Sequence, residues 1–469
     1  MKEYTLFIFR RDLRVIDNRG FDYVQSKYEN VIPIFIFTPE QITTKNKFIS
    51  HHAIQFMVES LEDLDDTLRE KGSTLHYFYG DNVEIVKQIK EKLNVTHIVT
   101  NMDYTLYAKK RDRNIQTFCE KKQIQYELVE DYLLSPIGTF LKDDGDPYRV
   151  YSSFRDKVYS LDDNISKPIT LYKNSKRLIH AKNIKSIKLK DVPFVKGLNH
   201  TIELERKGGR KNGLLIFSKL SRFNKYNKER NTMSIETTRL SAYIKFGCVS
   251  IREVYWKMKR VVGNNNGNEL LNQLLWREFY YYIGHYFPEV LKGENFNKKM
   301  DYLNKRWFND TNEFNKWKKG MTGYPIVDAA MRELNNTGYM HNRGRLISAN
   351  FLNRILGQDW RRGEKYFANC LVDYDPLVNN GNWQWIGSTG IDTKPYQQRI
   401  FNPWIQSDKY DKDAAYIYKW IPELKGVPAN HIHKWDKYCD DELYKDVEYP
   451  KPIVNYEERR NASLKMYKK

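Results

Sequence analysis

The sequence predicts an α/β fold in two parts: an N-terminal domain with a doubly wound, Rossmann-like parallel sheet and an all-helical C-terminal domain. Up to about residue 130, short β-branched and aromatic runs alternate with helical patterns, which is the element order of a parallel sheet. From Leu214 onward the apolar spacing is helical, and all ten tryptophans lie from Trp256 to Trp435. A length of 469 residues allows about two or three domains.

Five strands are predicted, each bounded by turn-forming residues. They are Tyr4–Phe9, Val31–Phe37, Thr74–Tyr79, His97–Thr100 and Tyr126–Val129. A helix is predicted between the second and third strands, because apolar residues recur there every three or four positions. These residues are Ile54, Met57, Leu61, Leu64 and Leu68. Ser50 is positioned to cap this helix and Gly72 to end it.

We expect three regions along the chain: the α/β domain at residues 1–131, a linker at 132–213 and the helical domain at 214–469. The linker segment shows little periodicity, and its second half is rich in lysine, including Lys173, Lys176 and Lys182. A solvated, mobile linker is therefore favoured over a dedicated DNA-binding arm.

The chain is strongly basic, with 78 Lys and Arg against 59 Asp and Glu and a formal net charge of +19. This balance suits a polyanionic partner. Codon bias towards lysine produces the same balance, so the charge supports a nucleic-acid partner without deciding for it. No long apolar run is present, which excludes a membrane span. The chain begins directly with a strand rather than a signal peptide, and we expect an intracellular protein that is not secreted.

Several common kinds of site lack sequence support. Four cysteines lie far apart without a Cys-x-x-Cys pair, so we expect reduced thiols and no metal site. The first predicted strand is followed by Arg10–Arg14 rather than by Gly-x-Gly-x-x-Gly, and no Walker-type loop is present. Nicotinamide dinucleotide and P-loop nucleotide binding therefore lose their main support.

The stretch Asp373–Trp385 combines carboxylates, amides and two tryptophans that flank one glutamine. Pro376, Asn379, Asn380 and Gly381 break regular structure, which predicts a shaped loop and a binding surface. A structural interpretation carries about equal weight for this stretch alone: the aspartates could cap a helix and the tryptophans could belong to the core.

Several long motifs, in one order along the chain, resemble the photolyase/cryptochrome family. They are Phe7–Arg14, Trp276–Tyr280, Thr322–Arg332, Gly338–Arg345, Asp373–Trp385, Arg399–Pro403 and Tyr449–Val454. The similarity is greatest to the DNA photolyases that repair cyclobutane pyrimidine dimers. It implies a blue-light-driven carbon–carbon lyase with FAD as cofactor and UV-damaged DNA as partner. We expect a monomer located wherever the DNA is, in the cytoplasm or the nucleus.

The resemblance also implies an N-terminal antenna domain and a C-terminal domain that binds FAD and DNA. Folate-binding relatives carry an Asn-Glu pair where this chain has Tyr107-Ala108. This difference disfavours folate, so the second chromophore stays open between a deazaflavin, a folate or none.

The resemblance assigns a set of residues to the cofactor. Thr237–Ser241 precedes an apolar helix start, where short hydroxyls form a phosphate site, although such a motif alone is more often a capped helix. Asn379 matches the residue beside flavin N5, and Arg345 with Asp373 matches an ion pair beside the ring. The complete expected set is Tyr226, Thr237, Thr238, Arg239, Leu240, Ser241, Arg345, Asp373, Tyr374, Asp375 and Asn379.

A second set of residues is expected to bind the damaged DNA. Gln273, Trp276 and Arg277 lie at i, i+3 and i+4 of a predicted helix, so they share one face that suits a base-binding wall. By resemblance, Trp276 and Trp385 would stack on the flipped-out lesion and Arg277 would contact nearby DNA. The other expected contacts are Asn342, Arg343 and Gln406, with Lys409 as a further candidate.

Two positions bear on which lesion is repaired. Dimer photolyases usually carry glutamate at the position of Gln273, whereas 6-4 photolyases and animal cryptochromes carry glutamine. Asn342 and Leu346 stand where 6-4 photolyases place two histidines needed for proton transfer. We therefore favour dimer repair, with 6-4 photoproduct repair as the alternative.

Trp307, Trp360 and Trp383 match the electron relay of the family, although without the resemblance they would be read as core tryptophans. Two further alternatives stay open. One is a cryptochrome-like blue-light photoreceptor, which the short tail after Val454 disfavours. The other is a light-independent nucleic-acid binder on a degenerate scaffold, which the intact relay positions disfavour.

Overall fold

The computed structural model describes residues 2–169, 177–181, 183–197, 204–263, 268–391 and 396–468. Lys173, Lys176 and Lys182 of the predicted linker lie outside these residues. The chain forms two compact units. Unit 1 consists of Met1–Asn224, Thr238–Pro288 and Val372–Asp375, and unit 2 consists of Lys225–Thr237, Glu289–Leu371 and Pro376–Lys469.

Unit 1 begins with a five-stranded parallel sheet in the order β3-β2-β1-β4-β5. Its strands are β1 (Tyr4–Phe9), β2 (Val31–Phe37), β3 (His76–Tyr79), β4 (Val95–Asn101) and β5 (Gln125–Val129). The chain winds from β1 first to one side and then to the other, which is the doubly wound arrangement. The connecting helices are α1 (Arg19–Lys27), α2 (Pro39–Ile42), α3 (His51–Arg69), α4 (Asn82–Lys90) and α5 (Leu106–Lys121).

Local sequence patterns in this part of the chain predicted most strands and helices correctly. All seven residues of β2 are buried, which is why its sequence is a continuous apolar run rather than an alternating one. Ser50 caps α3, where its hydroxyl accepts from the Ala53 N–H at 3.2 Å. The strands differ from the prediction only at their ends: β3 starts two residues later than expected, β4 starts two residues earlier and ends one later, and β5 starts one residue earlier.

The segment predicted as a linker contains regular structure within unit 1. It holds α6 (Tyr151–Ser160) and α7 (Pro193–Gly197), and α8 (Arg210–Ser218) spans its end. Phe154 and Val158, four residues apart on α6, are fully buried. The expectation of a solvated linker is therefore wrong for α6, because a single short amphipathic helix gives little periodicity in a long window.

The remaining named elements of the described chain are helical, which confirms the predicted fold class. Unit 1 adds α10 (Ser241–Lys245), α11 (Ile251–Val262) and α12 (Glu269–Tyr286), and unit 2 begins with α9 (Tyr226–Glu229). The other helices of unit 2 are α13 (Thr311–Lys319), α14 (Pro325–Thr337), α15 (Asn342–Asn350), α16 (Trp360–Cys370), α17 (Pro376–Gly387), α18 (Pro403–Tyr410), α19 (Ala415–Trp420), α20 (Ala429–Ile432), α21 (Trp435–Tyr438) and α22 (Tyr456–Tyr467).

A buried ion-pair cluster connects the α/β part of unit 1 to α11. Asp131 pairs with Arg14 at 2.5 Å and with Arg252 at 2.7 Å, and Arg252 also pairs with Asp17 at 3.1 Å. All four side chains are at most 2% exposed, so removing one would leave an uncompensated buried charge. Unit 1 thus continues without a break across residue 213, where a domain boundary was expected.

Candidate functional site

Helix α17 contains most of the stretch that the sequence predicts as a shaped loop. That prediction is wrong from Pro376 to Trp385, and only Asp373–Asp375 of the stretch lies outside the helix. Pro376 is the first helical residue, where a missing N–H breaks no intrahelical bond. Asn380, which also indicated a loop, is accommodated because its side-chain amide donates to the Val290 carbonyl at 3.1 Å.

Asn379 on α17 is fixed by Glu364 on α16. Its Nδ2 lies 3.1 Å from both the backbone carbonyl and Oε1 of Glu364. Because the amide nitrogen donates to these two oxygens, Oδ1 is oriented as an acceptor. Oδ1 receives no hydrogen bond from the described residues, so it is suited to accept from a ligand N–H, as expected of the residue beside flavin N5.

The three tryptophans that are expected to form the relay are all buried in unit 2. Trp383, Trp360 and Trp307 are 2%, 1% and 8% exposed. Gly363 makes room for Trp383, because a Cβ at this glycine would lie only 2.2 Å from the indole. Trp360 donates through Nε1 to Asn295 at 3.1 Å, whereas the buried Nε1 of Trp307 has no hydrogen-bond partner among the described residues.

The expected phosphate site is a run of hydroxyls around the start of α10. Ser241 is exposed and donates to Asp373 Oδ2 at 2.6 Å. Thr238 Oγ1 accepts from the Leu240 N–H at 3.5 Å. Arg239 adopts the left-handed conformation, with φ of 51°, and pairs with Glu205. The structure therefore joins Ser241 and Asp373, two residues that the sequence assigned separately to the cofactor.

Other expected cofactor residues are engaged within their own units. In unit 1, Asp375 pairs with Arg11 at 3.1 Å and accepts from the Tyr281 hydroxyl. The ring of Tyr374 stacks on Phe48 with 6.2 Å between ring centroids.

In unit 2, the expected cofactor residues Thr237 and Arg345 contact different neighbours. The Thr237 and Tyr339 hydroxyls lie 3.0 Å apart, and Arg345 donates through Nε to the Met340 carbonyl at 2.9 Å. Tyr226 is half-buried at the first position of α9.

The predicted base-binding wall lies on α12, where Gln273 and Trp276 are half-buried. The Trp276 indole stacks face to face on Tyr151, with 3.5 Å between ring centroids and an interplanar angle of 8°. Gln273 donates through Nε2 to the Glu269 carbonyl at 3.3 Å, so its amide is held along the helix.

Arg277, the third member of this wall, points into unit 1. Its guanidinium donates to Glu278 Oε1 at 2.9 Å and to the Tyr132 carbonyl at 3.0 Å, and it lies 4.6 Å from the ring centroids of Tyr132 and Tyr281. Burial raises the pKa of Glu278 to about 7, and the neighbouring Arg277 opposes that shift. The side chain of Arg277 is 12% exposed and is engaged by these internal contacts, so its contact with DNA stays a prediction.

Trp385 on α17 is half-buried and is held by Arg399. The guanidinium lies 4.5 Å from the indole centroid, and its Nη1 donates to the Trp385 carbonyl at 2.5 Å. Trp276 and Trp385 therefore share one feature: a side chain from a distant part of the chain packs against the ring of each.

The expected DNA-contacting residues of unit 2 occupy helix starts. Asn342 is exposed at the first position of α15. Arg343 donates to Asn231 Oδ1 at 2.6 Å and lies 4.3 Å from the Tyr410 ring centroid. Gln406 on α18 is half-buried.

Sequence reasoning missed three residues that position the expected site. Arg399 opens the Arg-Ile-Phe-Asn-Pro motif, which was a usable signal. Tyr151 and Glu364 gave no local signal, because each acts on a partner on another helix.

No group of three or more acidic, histidine or cysteine side chains in the described ranges could hold a metal ion. The helices described here include none that is long and apolar enough to cross a membrane.

Known families and relatives match almost the whole chain. A family model described as DNA photolyase matches residues 5–169, and one described as the FAD binding domain of DNA photolyase matches residues 270–469. The deoxyribodipyrimidine photo-lyase of Buchnera aphidicola subsp. Acyrthosiphon pisum is 34% identical, over 99% of this chain and 96% of the relative.

Solved structures share the fold over the full length. An archaeal photolyase from Sulfolobus tokodaii, described with two FAD molecules, is 38% identical with a TM-score of 0.86 and coverage of 99% of both chains. A Synechocystis cryptochrome is 28% identical with a TM-score of 0.88 and the same coverage of 99% of both chains. The similarity thus extends to photolyases and to a cryptochrome.

Proposed function

Since this chain belongs to the DNA photolyase family, we propose that it splits cyclobutane pyrimidine dimers in UV-damaged DNA, driven by blue light and by electron transfer from reduced FAD. The observation that carries this proposal is the pair of half-buried tryptophans, Trp276 and Trp385, each held by a neighbouring side chain. Such rings suit stacking on extruded bases, and a damaged, poorly stacked pair is the least costly to extrude.

FAD is the cofactor, and when bound and reduced it supplies the electron that opens the cyclobutane ring, which no side chain can supply. The donor set of the chain fits this group. Asn379, oriented by Glu364, offers Oδ1 to a ring N–H. The hydroxyls of Thr237, Thr238 and Ser241 suit a pyrophosphate. The further residues that we assign to FAD are Tyr226, Arg239, Leu240, Arg345, Asp373, Tyr374 and Asp375.

We assign lesion recognition to the stacking residues Trp276 and Trp385 and to Gln273. The Gln273 amide offers a donor and an acceptor to pyrimidine edges but cannot act as an acid. Asn342, Arg343 and Gln406 would hold the DNA backbone, which provides affinity without sequence preference and suits an enzyme that recognises damage.

Trp307, Trp360 and Trp383 would carry electrons from the protein exterior inward. Their burial keeps water away from the indoles and fixes each ring by packing. We also propose that the protein acts as an intracellular monomer. The second chromophore is left open between a deazaflavin, a folate or none.

Two alternatives have specific support. Gln273 favours repair of 6-4 photoproducts, whereas Asn342 and Leu346 stand where that reaction would require histidines. The Synechocystis neighbour favours a photoreceptor of the cryptochrome type.

Repair of defined oligonucleotides tests the proposal. One duplex carries a single cyclobutane thymine dimer, a second carries a 6-4 photoproduct, and each is incubated with reduced enzyme in blue light and in darkness. We expect light-dependent loss of the dimer alone. Loss of the 6-4 photoproduct would overturn the assigned lesion, and repair of neither would favour the photoreceptor.

A further inference from the structure

Tyr151 on α6 lies against the proposed lesion-stacking residue Trp276, outside every motif that carries the family resemblance. The two rings are nearly parallel, with 3.5 Å between centroids and an interplanar angle of 8°. The Tyr151 hydroxyl donates to the Asn272 carbonyl at 3.0 Å. Because Asn272 lies one helical turn before Trp276 on α12, this bond fixes the tyrosine ring relative to the indole.

The other rings near the indole, among the described residues, are not stacked parallel to it. Phe279 and Tyr280 lie 6.0 and 5.8 Å from Trp276, at interplanar angles of 72° and 30°. Among the described residues, Tyr151 is therefore the one ring stacked face to face on Trp276. The indole has one face covered by the protein and one face that faces no parallel ring.

We propose that Tyr151 is a positioning residue for lesion binding, which covers one face of the Trp276 indole so that the flipped base stacks on the opposite face. Parallel stacking holds the indole in one orientation before DNA arrives, and a preorganised ring loses less freedom when the base binds. The bound state would then be a stack of three rings: Tyr151, Trp276 and the pyrimidine. This inference rests on the proposed stacking of the lesion on Trp276.

DNA binding, measured in the dark, tests this positioning role separately from catalysis. The FAD-loaded enzyme is titrated into fluorescently labelled duplexes with and without one thymine dimer, and anisotropy gives both dissociation constants. Tyr151→Leu, which removes the ring, should weaken dimer binding about two- to tenfold and leave undamaged DNA unaffected. Tyr151→Phe keeps the stacked ring and loses only the hydrogen bond to Asn272, so it should retain most of the wild-type discrimination between the two duplexes.

Tyr159 provides a matched control on the same helix. Its hydroxyl donates to Asn272 Oδ1 at 3.2 Å, so it also connects α6 to α12, but its ring is not stacked on Trp276. Tyr159→Phe should therefore retain discrimination. If Tyr159→Phe or Tyr151→Phe loses as much discrimination between the two duplexes as Tyr151→Leu, the attachment of α6 rather than the stacked ring is responsible. The proposal is then overturned.

The stacking of the lesion on Trp276, on which the inference rests, is tested in parallel with Trp276→Ala. If Trp276→Ala discriminates like the wild type, both the stacking of the lesion on this residue and the inference fail. If Trp276→Ala loses discrimination while Tyr151→Leu keeps it, the inference alone fails. If Tyr151→Leu loses the same affinity for both duplexes, or loses its bound FAD, the positioning role is also overturned.

Discussion

Two groups of tryptophans differ sharply in their surroundings. Trp307, Trp360 and Trp383 are at most 8% exposed and are enclosed by unit 2. Trp276 and Trp385 are half-buried, and each is held by one neighbour, Tyr151 or Arg399. Under the proposed function the same type of side chain would serve two purposes: an enclosed indole is suited to pass electrons, and a half-covered indole is suited to bind a base.

The largest expected effect belongs to the buried group. Trp383→Phe should abolish most photoreduction of oxidised FAD, because it interrupts the proposed relay, and it should leave dark binding of dimer DNA unchanged. Light-induced bleaching of the flavin absorbance measures the first quantity and anisotropy the second. Trp317→Phe is the control, since Trp317 is fully buried, lies 6.4 Å from Trp383 and is outside the relay. Equal loss of photoreduction in the two variants would contradict the assignment.

The half-buried group should show the opposite pattern. Trp385→Ala should weaken dimer binding by about 1–3 kcal/mol, through the loss of one stacked base, and leave photoreduction intact. Trp385→Phe keeps an aromatic face and should recover much of the affinity. If Trp385→Ala weakens binding of undamaged DNA to the same extent, Trp385 does not recognise the lesion.

The tight packing of Gly363 against Trp383 should matter more than the ordinary contact of Gly387 with Trp360, which is also assigned to the relay. Gly363→Ala places a Cβ 2.2 Å from the Trp383 indole, so we expect a loss of about 1–3 kcal/mol in the free energy of unfolding and slower photoreduction. Urea denaturation and flavin bleaching measure these two quantities. At Gly387 the nearest atom to a new Cβ is Thr389 Oγ1, at 3.4 Å, so Gly387→Ala is the control with a smaller cost. Equal costs would show that Trp383 is not tightly enclosed.

The smallest effect is expected on the base-binding wall. Gln273→Glu should retain dimer repair, because an acceptor oxygen is preserved on the face of α12 that Gln273 shares with Trp276. The repair rate at saturating DNA checks this expectation, with Trp276→Ala at limiting DNA as the comparison. Abolished repair in Gln273→Glu would reopen the choice of lesion.

The sheet of unit 1 could be predicted from the sequence because its signals are local. The apolar run Val31–Phe37 and the Ser50 cap depend on neighbours within a few residues, and both appear as expected. Helix α17 could not be predicted in the same way. Pro376, Asn379 and Asn380 indicate a loop by local preference, and tertiary hydrogen bonds from the two amides to Glu364 and Val290 override that preference.

The identities of the site residues stay predictions, whereas their arrangement could not be predicted from the sequence. Family motifs indicated Trp276 and Arg277 equally, but only the fold shows that Trp276 stacks on Tyr151 while Arg277 turns inward to Glu278 and Tyr132. Position on a shared helix face gives direction only approximately, and the final orientation of Arg277 depends on the carboxylate of the adjacent Glu278 and on the backbone carbonyl of the distant Tyr132.

The most direct test of the division between the two groups is light-driven repair by chemically reduced enzyme. Wild type, Trp383→Phe and Trp385→Ala are compared on one thymine-dimer duplex at limiting DNA. We predict that Trp383→Phe repairs at nearly the wild-type rate, because a reduced cofactor does not need the relay, and that Trp385→Ala repairs far more slowly. Loss of repair in Trp383→Phe, or normal repair in Trp385→Ala, would contradict the account.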